Sequence, residues 1–166
     1  MIQKKICLVG AFAVGKTSLV GRYVRSIFSE KYHTTLGVKI DKKVLQASGR
    51  DLTFMIWDLA GEDDLMQARI SNFRGAAGYI LVIDGTRRAT LDVAHQIHDR
   101  VQKEAGDLPF VAVINKIDLR DEWELEASDS AKLAAQDWKV ILGSAKTGEG
   151  VEEAFHTLAT MILTTS

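Results

Sequence analysis

The sequence GAFAVGKT, residues 10–17, decides how the rest of the chain is interpreted. It follows the apolar run 6–9 and precedes apolar residues at helical spacing, so it lies where a strand gives way to a helix. Its spacing, G-x-x-x-x-G-K-T, is that of a phosphate-binding loop. Gly10 and Gly15 permit a close approach of backbone to ligand, and successive N–H groups can then surround one anion. This stretch predicts a phosphate site.

Two side chains of the loop extend that prediction. Lys16 supplies a positive charge for β- and γ-phosphates, and the hydroxyl of Thr17 can bind Mg²⁺. The following helix adds its free N–H groups and the positive end of its dipole. The predicted phosphate contacts are Ala13, Val14, Gly15, Lys16, Thr17 and Ser18.

The composition limits the classes of protein to which this chain can belong. The 166 residues are 46% apolar and 26% charged with one proline, which is typical of a globular chain, and we expect one domain spanning 1–166. A net charge of −1 gives no reason to expect binding to nucleic acid or a membrane surface. Cys7 lies in an apolar run and is expected to be buried. The absence of a membrane-length apolar run or a signal-peptide layout predicts a cytoplasmic protein.

Strand and helix patterns alternate along the chain. Strands are predicted at 6–9, 38–47, 52–58, 79–83, 110–114 and 140–142. Helices are predicted at about 16–26, shortly before 74, after an N-cap at Thr90, at 131–136 and at 151–162. This alternation predicts an α/β fold with a doubly wound, mostly parallel sheet, and the turn at Gly49 makes one edge strand antiparallel.

Polar residues follow four of the predicted strands. They are the phosphate loop, Asp58, the sequence NKID at 115–118 and the sequence SAK at 144–146. Ligands of such sheets bind beyond the carboxyl ends of the strands, so these four segments are expected to share one crevice. Asp58 after an apolar run is the form that holds Mg²⁺ opposite a phosphate loop, with a helix cap as the alternative. The backbone N–H of Gly61 could reach a terminal phosphate.

The segment containing Asn115, Lys116 and Asp118 is interpreted as a base-recognition loop. A carboxylate only accepts hydrogen bonds, and guanine offers two neighbouring donors, whereas adenine presents an acceptor at N1. The segment Ser144, Ala145 and Lys146 can add a backbone N–H from the far side of the base. An ATPase or kinase with a phosphate loop is a third interpretation, and it conflicts with this loop.

The ordered set of motifs resembles a Ras-superfamily small GTPase over essentially the whole chain. The sequence TLG at 35–37 and the pair Trp57-Asp58 resemble the Rab-like branch. The resemblance implies six strands, five helices and binding of GTP or GDP with Mg²⁺. It also implies that Thr17 and Thr35 ligate Mg²⁺, that Asp58 holds the ion through water, and that Phe28 and Lys116 line the guanine pocket. Segments 28–40 and 59–74 match the two switches, through which an effector, an exchange factor and a GTPase-activating protein would bind.

Glu62 stands where the family usually has a water-positioning glutamine. A carboxylate cannot donate a hydrogen bond, and its charge opposes that of the phosphate. We therefore expect slow hydrolysis, or a different residue that orients the water. The predicted catalytic residues are Lys16, Thr35, Gly61 and Glu62. The alternative function is a GTP-binding interaction module with negligible hydrolysis.

Other departures leave alternatives open. Phe12 either obstructs the entry of an arginine finger, which contributes about 10³–10⁵ in rate, or packs locally on a switch loop. The chain has no C-terminal cysteine for a lipid, so either a tail was removed or the protein works without an anchor, as prokaryotic relatives do. His95 and His98 are expected to be exposed, and the tryptophans to pack in the core or an interface.

Overall fold

The computed structural model describes residues 2–25, 38–59 and 71–165. Six strands form one sheet in the order β2-β3-β1-β4-β5-β6, which confirms the predicted doubly wound α/β fold. The strands are β1 Ile2–Gly10, β2 Val38–Ala47, β3 Arg50–Leu59, β4 Ala76–Asp84, β5 Phe110–Asn115 and β6 Val140–Leu142.

The predicted hairpin forms the antiparallel edge of the sheet. Strands β2 and β3 pair from Val38 opposite Leu59 to Ala47 opposite Arg50. Ser48 and Gly49 both have positive φ in the tight turn between them. All other neighbouring strands are parallel. The carboxyl ends of β1, β3, β4, β5 and β6 therefore open on the same edge of the sheet.

The part of the chain that the structure describes contains four α-helices: α1 Lys16–Arg25, α2 Ala89–Glu104, α3 Ala127–Ala135 and α4 Val151–Thr165. Helices α1 and α4 pack on one face of the sheet, where Tyr23 stacks on Phe155 with ring centroids 3.9 Å apart. Helices α2 and α3 cover the other face. The strand residues between these layers are buried on both sides, which explains their continuous apolar runs.

Several predicted boundaries are wrong by a few residues. Strand β4 begins three residues before Tyr79, and helix α3 begins at Ala127 instead of 131. The helix predicted before 74 lies mostly outside the described residues, and Ser71–Phe73 forms a 3₁₀ turn. Thr90 is not an N-cap but lies inside α2, where its hydroxyl accepts from the N–H of Asp84 at 2.9 Å.

Two predictions about single side chains have opposite outcomes. Cys7 is fully buried as predicted, and burial raises the pKa of its thiol to about 12. The prediction that His95 and His98 are exposed is wrong, because both rings are half-buried against Trp138. In addition, Nδ1 of His98 lies 2.9 Å from the Tyr79 hydroxyl. None of the described helices is long and apolar enough to span a membrane.

Candidate functional site

The phosphate-loop glycines lie where neighbouring atoms leave no room for a Cβ. A Cβ at Gly10 would lie 2.4 Å from the carbonyl oxygen of Val82 on β4. Gly15 has φ +103°, and a Cβ there would lie 2.3 Å from Nδ2 of Asn115. Ala13 between them also adopts a left-handed conformation, with φ +62°. The loop therefore packs directly against the ends of β4 and β5.

Lys16 begins helix α1, and its side chain folds back over the loop. The residue is only 6% exposed. Its ammonium donates to the carbonyl oxygens of Ala11 at 3.2 Å and Gly10 at 3.4 Å. The positive charge is thus held within the loop that the sequence predicts for phosphates.

Thr17 and Asp58 meet between α1 and β3. The Thr17 hydroxyl donates to Oδ2 of Asp58 at 2.5 Å. Asp58 is fully buried, and its other oxygen, Oδ1, has no hydrogen-bond partner among the described residues. Burial raises the pKa of the Asp58 carboxyl, although Thr17 and the nearby Lys16 oppose the shift. The residues that a helix cap at Asp58 would serve follow Leu59 and lie outside the described residues.

Asn115 joins three of the predicted segments. Its Nδ2 donates to the carbonyl of Val14 in the phosphate loop at 2.9 Å, and its Oδ1 accepts from the N–H of Ala145 at 3.2 Å. Asn115 is 2% exposed, so both contacts are shielded from water. The end of β5 is thereby tied to the loops after β1 and β6.

Asp118 of the base loop contacts the segment after β6. Asp118 is exposed, and its Oδ1 accepts from the Ser144 hydroxyl at 2.7 Å. The same Ser144 oxygen accepts from the N–H of Thr147 at 3.1 Å. The four strand-exit segments predicted to share a crevice are therefore brought together, with Lys146 on the exposed side.

Comparison with known proteins agrees with this arrangement. The family described as "Ras family" matches residues 5–164. The chain belongs to the Ras family. It is 31% identical over 162 residues to the Ras-related protein Rab-4 of Dictyostelium discoideum, covering 96% of this chain and 79% of that protein. It is 31% identical over 163 residues to RABA4b of Arabidopsis thaliana, covering 97% and 73%, and 32% identical over 161 residues to Rab-4B of Rattus norvegicus, covering 96% and 76%.

Membership of the Ras family, together with these Rab relatives, identifies a small GTPase of the Rab-like kind. It binds GTP and GDP, hydrolyses GTP and acts as a molecular switch. Ras-family proteins work in general through effectors, exchange factors and GTPase-activating proteins. The predicted family and activity are confirmed.

Sequence reasoning missed Asp84, which ends β4 in this Ras-family chain. Its Oδ2 lies 2.8 Å from the ammonium of Lys116, and its Oδ1 accepts from the N–H of Thr86 at 2.9 Å. Burial acts to raise the pKa of Asp84, but hydrogen bonds from Lys116, Thr86 and Arg87 outweigh it and hold the pKa below its ordinary value. The signal was present, because Asp84 follows an apolar run as Asp58 does.

Arg87 was also missed. Its Nε donates to Oδ2 of Asp84 at 3.1 Å, and its Nη2 donates to the carbonyl of Phe12 in the phosphate loop at 2.7 Å. The side chain of Phe12 is largely exposed, with 45% of its surface accessible.

Trp123 contacts the base loop of the GTPase through its indole ring. Its indole N–H donates to the carbonyl of Lys116 at 2.8 Å, and Lys116 itself has φ +74°. The ring packs on Gly85 so closely that a Cβ there would lie 2.2 Å from it. On the other side, Arg22 of α1 donates through Nε to the carbonyl of Ala145 at 2.8 Å and through Nη2 to that of Lys146.

Four predicted site residues lie outside the described residues: Phe28, Thr35, Gly61 and Glu62. The same holds for most of the two predicted switch segments, of which the structure describes 38–40, Leu59 and 71–74. Their roles stay predictions.

Proposed function

We propose that residues 1–166 act as one G domain, a Mg²⁺-dependent guanine-nucleotide switch that hydrolyses GTP slowly. The observation that carries this proposal is the meeting of the phosphate loop, Asp58, the NKID loop and the SAK loop at one edge of the sheet. Each contacts at least one of the others through a hydrogen bond or a close backbone approach. These contacts support the proposal because they bring the segments assigned to the phosphates and to the base together at one edge of the sheet.

At the phosphate end, the residues fit a hard divalent cation. Mg²⁺ prefers oxygen ligands, and the Thr17 hydroxyl lies against a carboxylate whose second oxygen is buried without a hydrogen bond among the described residues. When bound, the ion would neutralise charge on the β- and γ-phosphates. We assign its coordination to Thr17 and Thr35, with Asp58 acting through water. Lys16 and the N–H groups of the loop from Ala13 to Ser18 would hold the phosphates.

At the base end, the exposed carboxylate of Asp118 is oriented by Ser144. We propose that this carboxylate accepts hydrogen bonds from the two donors on the edge of guanine. Ala145 and Lys146 would bound the base on the far side, and the aliphatic part of Lys116 would line the pocket while Asp84 holds its ammonium. Phe28 is assigned to the face of the guanine ring by resemblance to the family.

Partners are proposed to bind across the two switch segments and the strand between them. Strand β2 is an edge strand, and its side chains Ile40 and Val44 are 48% and 58% exposed. Exposed apolar side chains of this size favour protein contacts. Gly61 and Thr35 are assigned to the terminal phosphate, whose loss would release both segments from it.

The slow rate follows from Glu62. Single-turnover hydrolysis of bound GTP, comparing the natural chain with Glu62→Gln, tests it. We expect slow but complete hydrolysis in the natural chain and a faster rate in the variant, since an amide can donate to the transition state. Retention of intact GTP over hours, with tight binding, would replace the switch by the alternative, a GTP-binding interaction module. Competition by ATP equal to that by GTP would refute the assigned base specificity.

A further inference from the structure

Arg87 connects a buried carboxylate to the backbone of the phosphate loop. Its guanidinium donates to Oδ2 of Asp84 at 3.1 Å and to the Phe12 carbonyl at 2.7 Å. Asp84 is fully buried and is itself fixed by the Thr86 N–H, the Thr86 hydroxyl and Lys116. The Asp84 carboxylate is therefore held by several partners, and Arg87, which is half-exposed, connects it to the phosphate loop.

The Phe12 carbonyl belongs to the same planar peptide group as the N–H of Ala13. The described chain contains no cis peptide bond, so this carbonyl and this N–H point in opposite directions. Because Arg87 holds the carbonyl on one side of the loop, the Ala13 N–H is turned toward the other side.

That orientation is not the one that Ala13 would adopt by itself. Ala13 has φ +62°, a left-handed conformation that L-residues with a Cβ seldom adopt. Rotation of the Phe12–Ala13 peptide plane changes φ of Ala13, and a half-turn would bring it to a negative value. The flip would remove the positive φ of Ala13 but would reverse the N–H, and the hydrogen bond from Arg87 to the Phe12 carbonyl opposes it.

We infer that Arg87 is a positioning residue that holds the Phe12–Ala13 peptide with its N–H directed toward the bound phosphates. This role rests on the proposed nucleotide site. Arginine suits it because its guanidinium fork offers separate donors to the carboxylate and to the carbonyl. Since Lys116 pairs with the same carboxylate, Asp84 serves both the phosphate loop and the base loop.

The test compares Arg87→Ala and Arg87→Lys with the matched control Arg88→Ala. Arg88 is adjacent and also half-exposed, but its guanidinium forms a two-bonded pair with Asp129 at 3.0 and 2.8 Å, away from the phosphate loop. Dissociation constants are measured for GDP and for inosine diphosphate, which lacks the guanine amine. The amide resonance of Ala13 is followed in ¹⁵N-alanine-labelled protein loaded with GDP.

For Arg87→Ala we expect about tenfold weaker GDP binding, the scale of one charged hydrogen bond at a half-exposed site. The preference for GDP over inosine diphosphate should not change, since the base loop keeps its contacts. The Ala13 amide should move upfield as it loses the phosphate. Arg87→Lys, which can reach one acceptor at a time, should lose about threefold, within the range of a single partly retained bond. Arg88→Ala should bind GDP like the natural chain.

Each other outcome is decisive. Unchanged GDP affinity and an unchanged Ala13 resonance in Arg87→Ala would overturn the inference while leaving the nucleotide site intact. An equal loss in Arg88→Ala would also overturn it, because the effect would then be general destabilisation. Failure of the natural chain to bind GDP at all would refute the proposed function instead.

Discussion

Asn115→Ala is the perturbation that tests the architecture of the site most directly. The side chain connects the phosphate loop to the SAK loop through the Val14 carbonyl and the Ala145 N–H. These are backbone groups in a region where Asn115 is only 2% exposed. Truncation removes the side chain that pairs with both groups and leaves the Asp118 carboxylate and the Thr17–Asp58 pair in place.

The magnitude follows from the two groups that are left unpaired. A buried donor or acceptor without a partner costs about 1–3 kcal/mol. The two together give about 2–6 kcal/mol, and a water molecule entering the vacated space can bond to both and recover part of this. We expect a loss of about 2–4 kcal/mol in the free energy of unfolding. At a urea dependence of about 2 kcal/mol per molar, the midpoint falls by about 1–2 M.

Urea unfolding is followed by tryptophan emission after bound nucleotide has been removed with a chelator and a phosphatase. Nucleotide-free protein is used so that a change in nucleotide affinity does not enter the measured free energy of unfolding. Asn72→Ala is the matched control, since Asn72 is half-buried and its side chain makes no hydrogen bond among the described residues. The control should change stability by less than about 0.5 kcal/mol. Equal midpoints for Asn115→Ala and the natural chain would refute the proposal that Asn115 stabilises the protein by joining these two loops.

Three further predictions concern neighbouring contacts. Trp123→Phe keeps a ring against Gly85 but removes the hydrogen bond to the Lys116 carbonyl, so GDP titration should show about fivefold weaker binding; an unchanged affinity would contradict the supporting role. Gly15→Ala places a Cβ 2.3 Å from Asn115 at φ +103°, and GDP binding should weaken by more than about tenfold in the same assay; binding within twofold would contradict it. Burial lowers the pKa of His98, so the unfolded state takes up more protons as pH falls through the ordinary histidine pKa of about 6.5, and stability declines. Melting temperatures measured from about pH 7.5 to 5.5 should therefore fall more steeply in the natural chain than in His98→Gln, and parallel slopes would exclude this linkage.

The fold could be predicted because its signals are local and repeated. Strand β4 is buried on both faces and therefore has a continuous apolar run, while the hairpin is marked by Gly49. The convergence of Asp58, Asn115 and Ser144 could be predicted for a related reason. Parallel strands open at one edge, so any polar residue at a strand end belongs to the same crevice.

The hydrogen bonds that connect the loops of the site to one another could not be predicted in the same way. Arg87 and the Phe12 carbonyl are 75 residues apart in sequence, and only the packing of β4 beside β1 brings them together. Trp123 carried no sign of its partner, because a tryptophan fits core packing equally well. The histidine prediction was wrong because positions 95 and 98 lie at the margin of the buried apolar stripe of α2, where Trp138, in the connection between α3 and β6, packs against them.

The contacts also constrain how the switch can distinguish its two nucleotides. A ligand shifts a conformational equilibrium only by its differential affinity for the two states. GTP and GDP share the base, so in the proposed site Asp118, Ser144 and Trp123 contribute equally to the binding of both nucleotides. In the proposed site, discrimination between GTP and GDP therefore arises at the phosphate end, from Lys16, the Thr17–Asp58 pair and the predicted segments 28–40 and 59–74. It follows that Trp123→Phe weakens GTP and GDP binding by the same factor. Unequal factors would show that the base loop itself takes part in switching.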